Sequence, residues 1–299
     1  MPLPNLLIIG AMKAATTSLY QLLETHEEIW FPSEKEPHYF TSKEYGQNSA
    51  FNKYKMLFDD APIQVKYIGE ASTGYSKMPA LGPTASRIAN DLGNPKIIYS
   101  LRDPISRIIS NFRHSKLCGA YMPTLPFSKA LDEDPILLQA SCYARQIMEY
   151  ENIFGPDAMF LITTDKIQTD ISSVLAGLGA YLDIDLNEAK LQKINQKNSH
   201  EQLAKSLWIE RVFSRDIAGY ARRAIPQGLK STLKSLAPVH RVEFAITPND
   251  IERCMAILGP DLQQLLDIAG EEIRGWPCVR YLLKDPGFDA ESLSQIFST

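Results

Sequence analysis

The stretch Asn5-Leu6-Leu7-Ile8-Ile9-Gly10-Ala11-Met12-Lys13-Ala14-Ala15-Thr16-Thr17-Ser18 decides how the chain folds. Its first half is a continuous apolar run without alternation, the pattern of a strand buried on both faces. Glycine ends the run. Leu19, Leu22 and Leu23 then recur on one helical face, so residues 16–24 read as a helix. A strand that turns directly into a helix presents unpaired backbone N–H groups and the positive end of a helix dipole. With Lys13 and three small hydroxyl residues beside it, this turn suits a phosphate or sulfate. It lacks the second glycine of G-x-x-x-x-G-K-[ST] and the glycines of G-x-G-x-x-G, so it spells out neither familiar nucleotide loop. The plain structural alternative is a strand–helix connection capped by Thr16 or Thr17.

The same pattern recurs along the chain. Lys66–Gly69, Lys96–Leu101 and Ala158–Thr163 read as further strands, and residues 169–182 and 248–273 as helices. After the strand at 96–101 comes Arg102-Asp103-Pro104, with Asp103 suited to an N-cap and Pro104 to the first helical position. Strands alternating with helices predict an α/β fold, a single domain with a central parallel sheet flanked by helices. Arg102 falls at the carboxyl end of a strand, where open α/β sheets bind ligands. Ser110 lies on the helix face shared by positions 103, 106/107 and 110. Together the two can hold one phosphate, a task for which the planar guanidinium fork is suited. The alternative for Arg102 is a pairing with Asp103.

The 299 residues, 44% apolar and 22% charged, exclude a disordered or collagen-like chain, and a net charge of −4 excludes a basic coat for duplex nucleic acid. No apolar run reaches the roughly 18–20 residues of a membrane helix. The N-terminus has neither a basic leader nor a cleavage site, so a cytoplasmic protein is expected. Cys118, Cys142, Cys254 and Cys278 form no C-x-x-C pair and are expected as buried free thiols, with no metal site. No linker divides the chain, and 1–299 is expected as one domain. Residues 201–241 carry eight basic residues against three acidic ones. They read as a solvated helix face or, with Trp208 and Phe213, as part of a helical acceptor-binding or lid insert over about 195–245.

The two loops resemble those of sulfotransferases that use 3′-phosphoadenosine 5′-phosphosulfate (PAPS). The branch that contains the Golgi heparan sulfate sulfotransferases and many bacterial relatives is the most similar. Leu7–Leu19 resembles that family's 5′-phosphosulfate loop and Ser100–Ser110 its 3′-phosphate loop. Glu34-Lys35-Glu36-Pro37-His38-Tyr39-Phe40 resembles its Lys-Glu-x-His-Phe-Phe segment, and Glu70-Ala71-Ser72-Thr73-Gly74-Tyr75 its Glu-Lys-Ser-Pro-x-Tyr turn. Ser141, Tyr143 and the stretch from Pro260-Asp261 to Trp276 fit the same layout. Two departures stand out. The family's glycine at position 15 is Ala15, and its late Lys-Gly-Arg loop is absent, with Lys197 in the segment Asn195–His200 as the substitute.

The resemblance implies a P-loop-kinase-like nucleotide site and in-line transfer of a sulfuryl group to a small acceptor: a saccharide, a lipid-like or polyketide chain, or an amine- or hydroxyl-bearing natural product. Lys13 would stabilise the leaving nucleotide, Ala14, Ala15, Thr16, Thr17 and Ser18 would hold its 5′-phosphate, and Arg102 and Ser110 its 3′-phosphate. Glu36 matches the family's base. His38 is the other candidate, with an ordinary pKa of about 6.5. Pro37 favours an extended Glu36, which would place both side chains on one face. His26, His114, His200 and His240 carry less information. Competing readings are a kinase-like phosphotransferase and a nucleotide-binding protein without catalysis. Oligomeric state is not legible in the sequence.

Overall fold

The computed structural model describes residues 2–186 and 244–298. Lys197, His200, the basic stretch 201–241 and residues 195–243 of the expected insert lie outside the described residues.

Five strands form one parallel sheet: β1 (Leu6–Gly10), β2 (Ile29–Trp30), β3 (Tyr67–Ala71), β4 (Lys96–Leu101) and β5 (Met159–Thr163). Their order is β2-β3-β1-β4-β5. β1 pairs with β3 in the register Leu6↔Gly69 and with β4 in the register Leu6↔Lys96. β4 continues to β5 through Ile97↔Met159. All of Leu6, Leu7, Ile8 and Ile9 are fully buried because the sheet is covered on both faces. Leu7 and Ile9 enter one core with Ile97, Tyr99 and Ile147, while Leu6 and Ile8 enter a second with Leu19, Leu23 and Leu178. Each such side chain contributes roughly 1.5–3 kcal/mol on burial.

The helices follow the sequence pattern with identifiable differences. α1 (Thr16–Leu23) and α4 (Pro104–Leu117) begin where expected, and between them lie α2 (Asn48–Met56) and α3 (Thr84–Leu92), which the sequence reading did not mark. The expected helix 169–182 is Ile171–Leu182, and a separate short helix, Thr164–Thr169, precedes it, divided from it at Asp170, whose carboxylate caps Ser173 N. The expected helix 248–273 runs Pro248–Ala269 behind a capping box of Thr247 and Asp250, then breaks at Gly270. β2 is two residues long, too short to show a period. Cys142, Cys254 and Cys278 are buried free thiols, but Cys118 is exposed, because it follows the last turn of α4.

Two carboxylates lock the C-terminal helices onto the sheet. Asp261 accepts from the N–H groups of Ala144 and Arg145 at 3.0 and 2.9 Å, at the start of the helix Tyr143–Phe154. Asp103 accepts from Ser106 N at 2.8 Å through one oxygen and from Cys278 N at 3.2 Å through the other. It therefore caps α4 and does not pair with Arg102. Asp103→Ala removes both bonds from a buried site, and we expect it to lower the unfolding free energy by about 2 kcal/mol, read as a urea midpoint shift at unchanged slope.

Candidate functional site

β1 leads on to β2 towards one side of the sheet and its neighbour β4 leads on to β5 towards the other, so the strand order reverses between β1 and β4. Ligands of open α/β sheets bind at this switch point, outside the carboxyl ends of the strands. The loop after β1 and the loop after β4 flank it and are tied together. Ala11 N donates to Ser100 O (2.7 Å), Ser100 Oγ to Ala14 O (2.5 Å) and Arg102 Nη1 to Lys13 O (3.3 Å). Gly10 has φ +145°, and a Cβ there would lie 2.1 Å from Ser76 Oγ, so only glycine lets the loop pass the turn after β3.

Neither Thr16 nor Thr17 caps α1. The N-cap is Ala15, in the left-handed conformation (φ 58°, ψ 20°), and no side chain caps the helix. A methyl group tolerates this backbone at a cost of about 1–2 kcal/mol, which explains why the family that the loop resembles has glycine there. The backbone N–H groups of Ala15, Thr16 and Thr17 meet no acceptor among the described residues. Uncapped donors beside Lys13 fit an anion.

Cations crowd the same place. No carboxylate lies within ion-pair distance of Lys13 or Arg102 among the described residues. Burial pushes the Lys13 ammonium below its usual pKa, and Arg102 pushes it further. Lys35 donates to Thr17 Oγ1 at 2.9 Å and is likewise held low by burial. His114 is pushed down to about 4 by burial and by Lys13 and Lys77. Ser110 is buried on α4, on the same face as Arg107, and its hydroxyl has no partner among the described residues. Positive charge without counter-charge is what a polyanionic ligand requires.

Opposite the cations stand Glu36 and His38. Both adopt left-handed backbone, φ 60° and 54°, and not the extended form that Pro37 favours. Tertiary hydrogen bonds override the local preference. Glu36 N donates to Ala71 O (3.1 Å) and His38 N to Ser72 Oγ (3.2 Å). The side chains nevertheless meet, with His38 Nε2 3.2 Å from Glu36 Oε2. That oxygen also accepts from Thr73 N (2.9 Å) and Thr73 Oγ1 (3.1 Å). Beneath them, fully buried Glu70 accepts from Tyr54 and, at 2.8 Å, from Ser72 Oγ. Burial raises the Glu70 pKa and those hydrogen bonds oppose the rise. Burial lowers the His38 pKa, Glu36 offsets part of that, and Lys77 adds to it. Sequence reasoning did not single out Lys35, Glu70 or Lys77. Lys35 and Glu70 stand inside quoted motifs, whereas nothing local marks Lys77.

With this geometry in view, known proteins define the class. A model of the sulfotransferase domain matches residues 3–212, and the chain belongs to that family. A membrane-associated sulfotransferase of Dictyostelium discoideum is 37% identical over 113 residues, 38% of this chain and 23% of that protein. Luciferin sulfotransferase of Photinus pyralis is 26% identical over 118 residues, 39% of this chain and 31% of that protein. The chain spans less than half the length of the curated relatives it matches. The crystal structure of a sulfotransferase from Alicyclobacillus acidocaldarius shares the fold, with a TM-score of 0.63 at 21% identity, covering 92% of this chain and 99% of that one. No described helix is long and apolar enough to cross a membrane.

Both lowered histidines are neutral above their pKa values and become charged only as pH falls through them. NMR titration is expected to show His114 titrating near 4 and His38 below 6.5. In Glu36→Gln the His38 value moves lower still, because the charge that favoured imidazolium is gone.

Proposed function

We propose that this chain moves a sulfuryl group from PAPS to a hydroxyl or amine of a small acceptor, leaving adenosine 3′,5′-bisphosphate (PAP). The observation that carries the reading is the convergence at one sheet edge of uncapped α1 donors, unpaired Lys13 and Arg102, and the Glu36–His38 pair. PAPS, the family's general donor, supplies an activated S–O bond to its 5′-phosphate. Backbone donors of Ala15, Thr16 and Thr17 with the hydroxyls of Thr16, Thr17 and Ser18 bind the 5′-phosphate, while the N–H of Ala14 is taken by Ala11 O (3.0 Å). Arg102 and Ser110 bind the 3′-phosphate, which separates this nucleotide from ATP. Lys197, outside the described residues, is the proposed closing contact, and 1–299 is one sulfotransferase unit with its acceptor insert over about 195–245.

In the transfer, the acceptor oxygen or nitrogen bonds to sulfur as the bridging S–O bond breaks. The acceptor's proton passes to Glu36, and the electron pair of the broken bond stays on the departing phosphate. Lys13 faces that developing charge, where a preplaced cation in a site shielded from water is most effective. His38 is neutral at pH 7 and holds Glu36 Oε2, so it orients the base or takes the proton in its place. The family resemblance and the local geometry favour Glu36, whose Oε2 is fixed by three contacts. The acceptor is a saccharide, a lipid-like or polyketide chain, or a natural product, in the cytoplasm.

Calorimetry tests the donor. Binding of PAP with ATP at least about a hundredfold weaker is expected, since Arg102 and Ser110 recognise the 3′-phosphate. A preference for ATP would instead support the kinase-like reading. Glu36→Gln is expected to cut sulfuryl transfer by about 10²–10⁴-fold with PAP affinity unchanged, measured with radiolabelled PAPS across a panel of hydroxyl and amine acceptors. Retained turnover assigns the proton to another group.

A further inference from the structure

The turn after β3 touches both halves of the site. Its first residue, Thr73, fixes Glu36 Oε2 through a backbone N–H and a hydroxyl. Gly74 lies beneath the His38 ring, where a Cβ would come within 2.9 Å of Nδ1. Ser76 fills the space left by Gly10 in the phosphate loop. Lys77 ends the turn, and its Nζ lies 3.3 Å from the sulfur of Met12, the neighbour of Lys13. The ammonium of Lys77 is therefore held between the loop that binds the anion and the pair that faces the acceptor.

Nothing among the described residues neutralises it. No carboxylate comes within ion-pair distance, and thioether sulfur is a weak acceptor for one of three N–H donors. Behind it Arg107 is completely buried. Its Nε and Nη2 are bonded to Ser141 and Leu137, but Nη1 has no partner. Burial first, and then Arg107, push the Lys77 ammonium below its usual range, while Glu36 and Asp134, both beyond ion-pair distance, pull the other way. A structural lysine would have a carboxylate, a carbonyl or open water. Lys77 is half-buried with two donors unspent.

Building on the sulfotransferase reading above, we infer that Lys77 binds the group in transit: its free donors take the sulfuryl oxygens between Lys13 and Glu36. It forms no covalent bond and neither gains nor loses a proton. It holds the negative charge on those oxygens while the sulfur passes from the phosphate oxygen to the acceptor. Lys13 and Lys77 then divide the work, one at the leaving oxygen and one at the sulfuryl group.

PAP and PAPS differ in the sulfuryl group, and near pH 8 both 5′ ends carry about two negative charges. Loss of general attraction therefore weakens both alike, whereas loss of a sulfuryl contact weakens PAPS alone. Calorimetry on the full chain is expected to show Lys77→Met binding PAPS about tenfold more weakly, with PAP changed less than about twofold. Lys77→Arg keeps most of the PAPS affinity. Equal weakening of both ligands, or of neither, overturns the inference. Should Lys77→Met not match the wild-type melting temperature, Lys77→Gln is read by the same criterion. Wild-type protein that binds neither nucleotide overturns the donor reading itself, a result distinct from failure at Lys77.

Discussion

Hydrogen bonding of β1 on both of its edges, to β3 and to β4, is the constraint from which the site follows. Parallel pairing directs the carboxyl ends of all three strands to one edge of the sheet. The loop of Lys13 leaves β1 there, Glu70 and the turn from Thr73 leave β3, and Arg102 leaves β4. A register slip of one residue would send Leu6 and Ile8 to the opposite face and separate these groups, so the two cores that bury β1 also set the geometry of the chemistry.

That edge concentrates charge of one sign. Lys13, Lys35, Lys77 and His114 all have pKa values displaced downward, each first by burial. Burial weakens the hold of each such group on its proton, so the fold carries an electrostatic cost that a bound polyanion relieves. Among the described residues no carboxylate lies within ion-pair distance of these four groups. Asp103 and Asp261 are committed to backbone N–H groups, and Glu70 is committed to Tyr54 and Ser72. Glu36 faces the cations and is fixed by Thr73 and His38, and Asp134 also acts on Lys77.

The left-handed residues show where local preference yields. Lys13, Ala15, Glu36 and His38 all have positive φ without being glycine, and all four stand in the two facing loops. Backbone held in a sparsely populated region persists only where its surroundings dictate it. For Glu36 and His38 those surroundings are the carbonyl of Ala71 and the hydroxyl of Ser72, both supplied by β3. Pro37 biases Glu36 towards extended backbone, but one dipeptide preference is outweighed by several tertiary hydrogen bonds.

Much of this architecture was legible in order along the chain. The apolar run of β1, the strand at 96–101, Asp103 as a cap before Pro104 and the helix that starts at Pro248 are short-range patterns, and each lies where the residues indicate. Lys13, Arg102 and Glu36 were marked by their place in strand-end loops or quoted motifs. The two-residue β2, the division at Asp170 and the exposure of Cys118 were not, since none has a period to detect. The sequence by itself determined the strands β1, β3, β4 and β5 and the helices that begin at Thr16, Pro104 and Pro248, because burial on one or two faces imposes a repeat that neighbouring residues reveal. Only the tertiary structure decided that Lys77 reaches Met12, that Glu36 and His38 meet from left-handed backbone, and that Glu70 supports them. These contacts join residues brought together by sheet order, and no local repeat encodes the distance between separate strands.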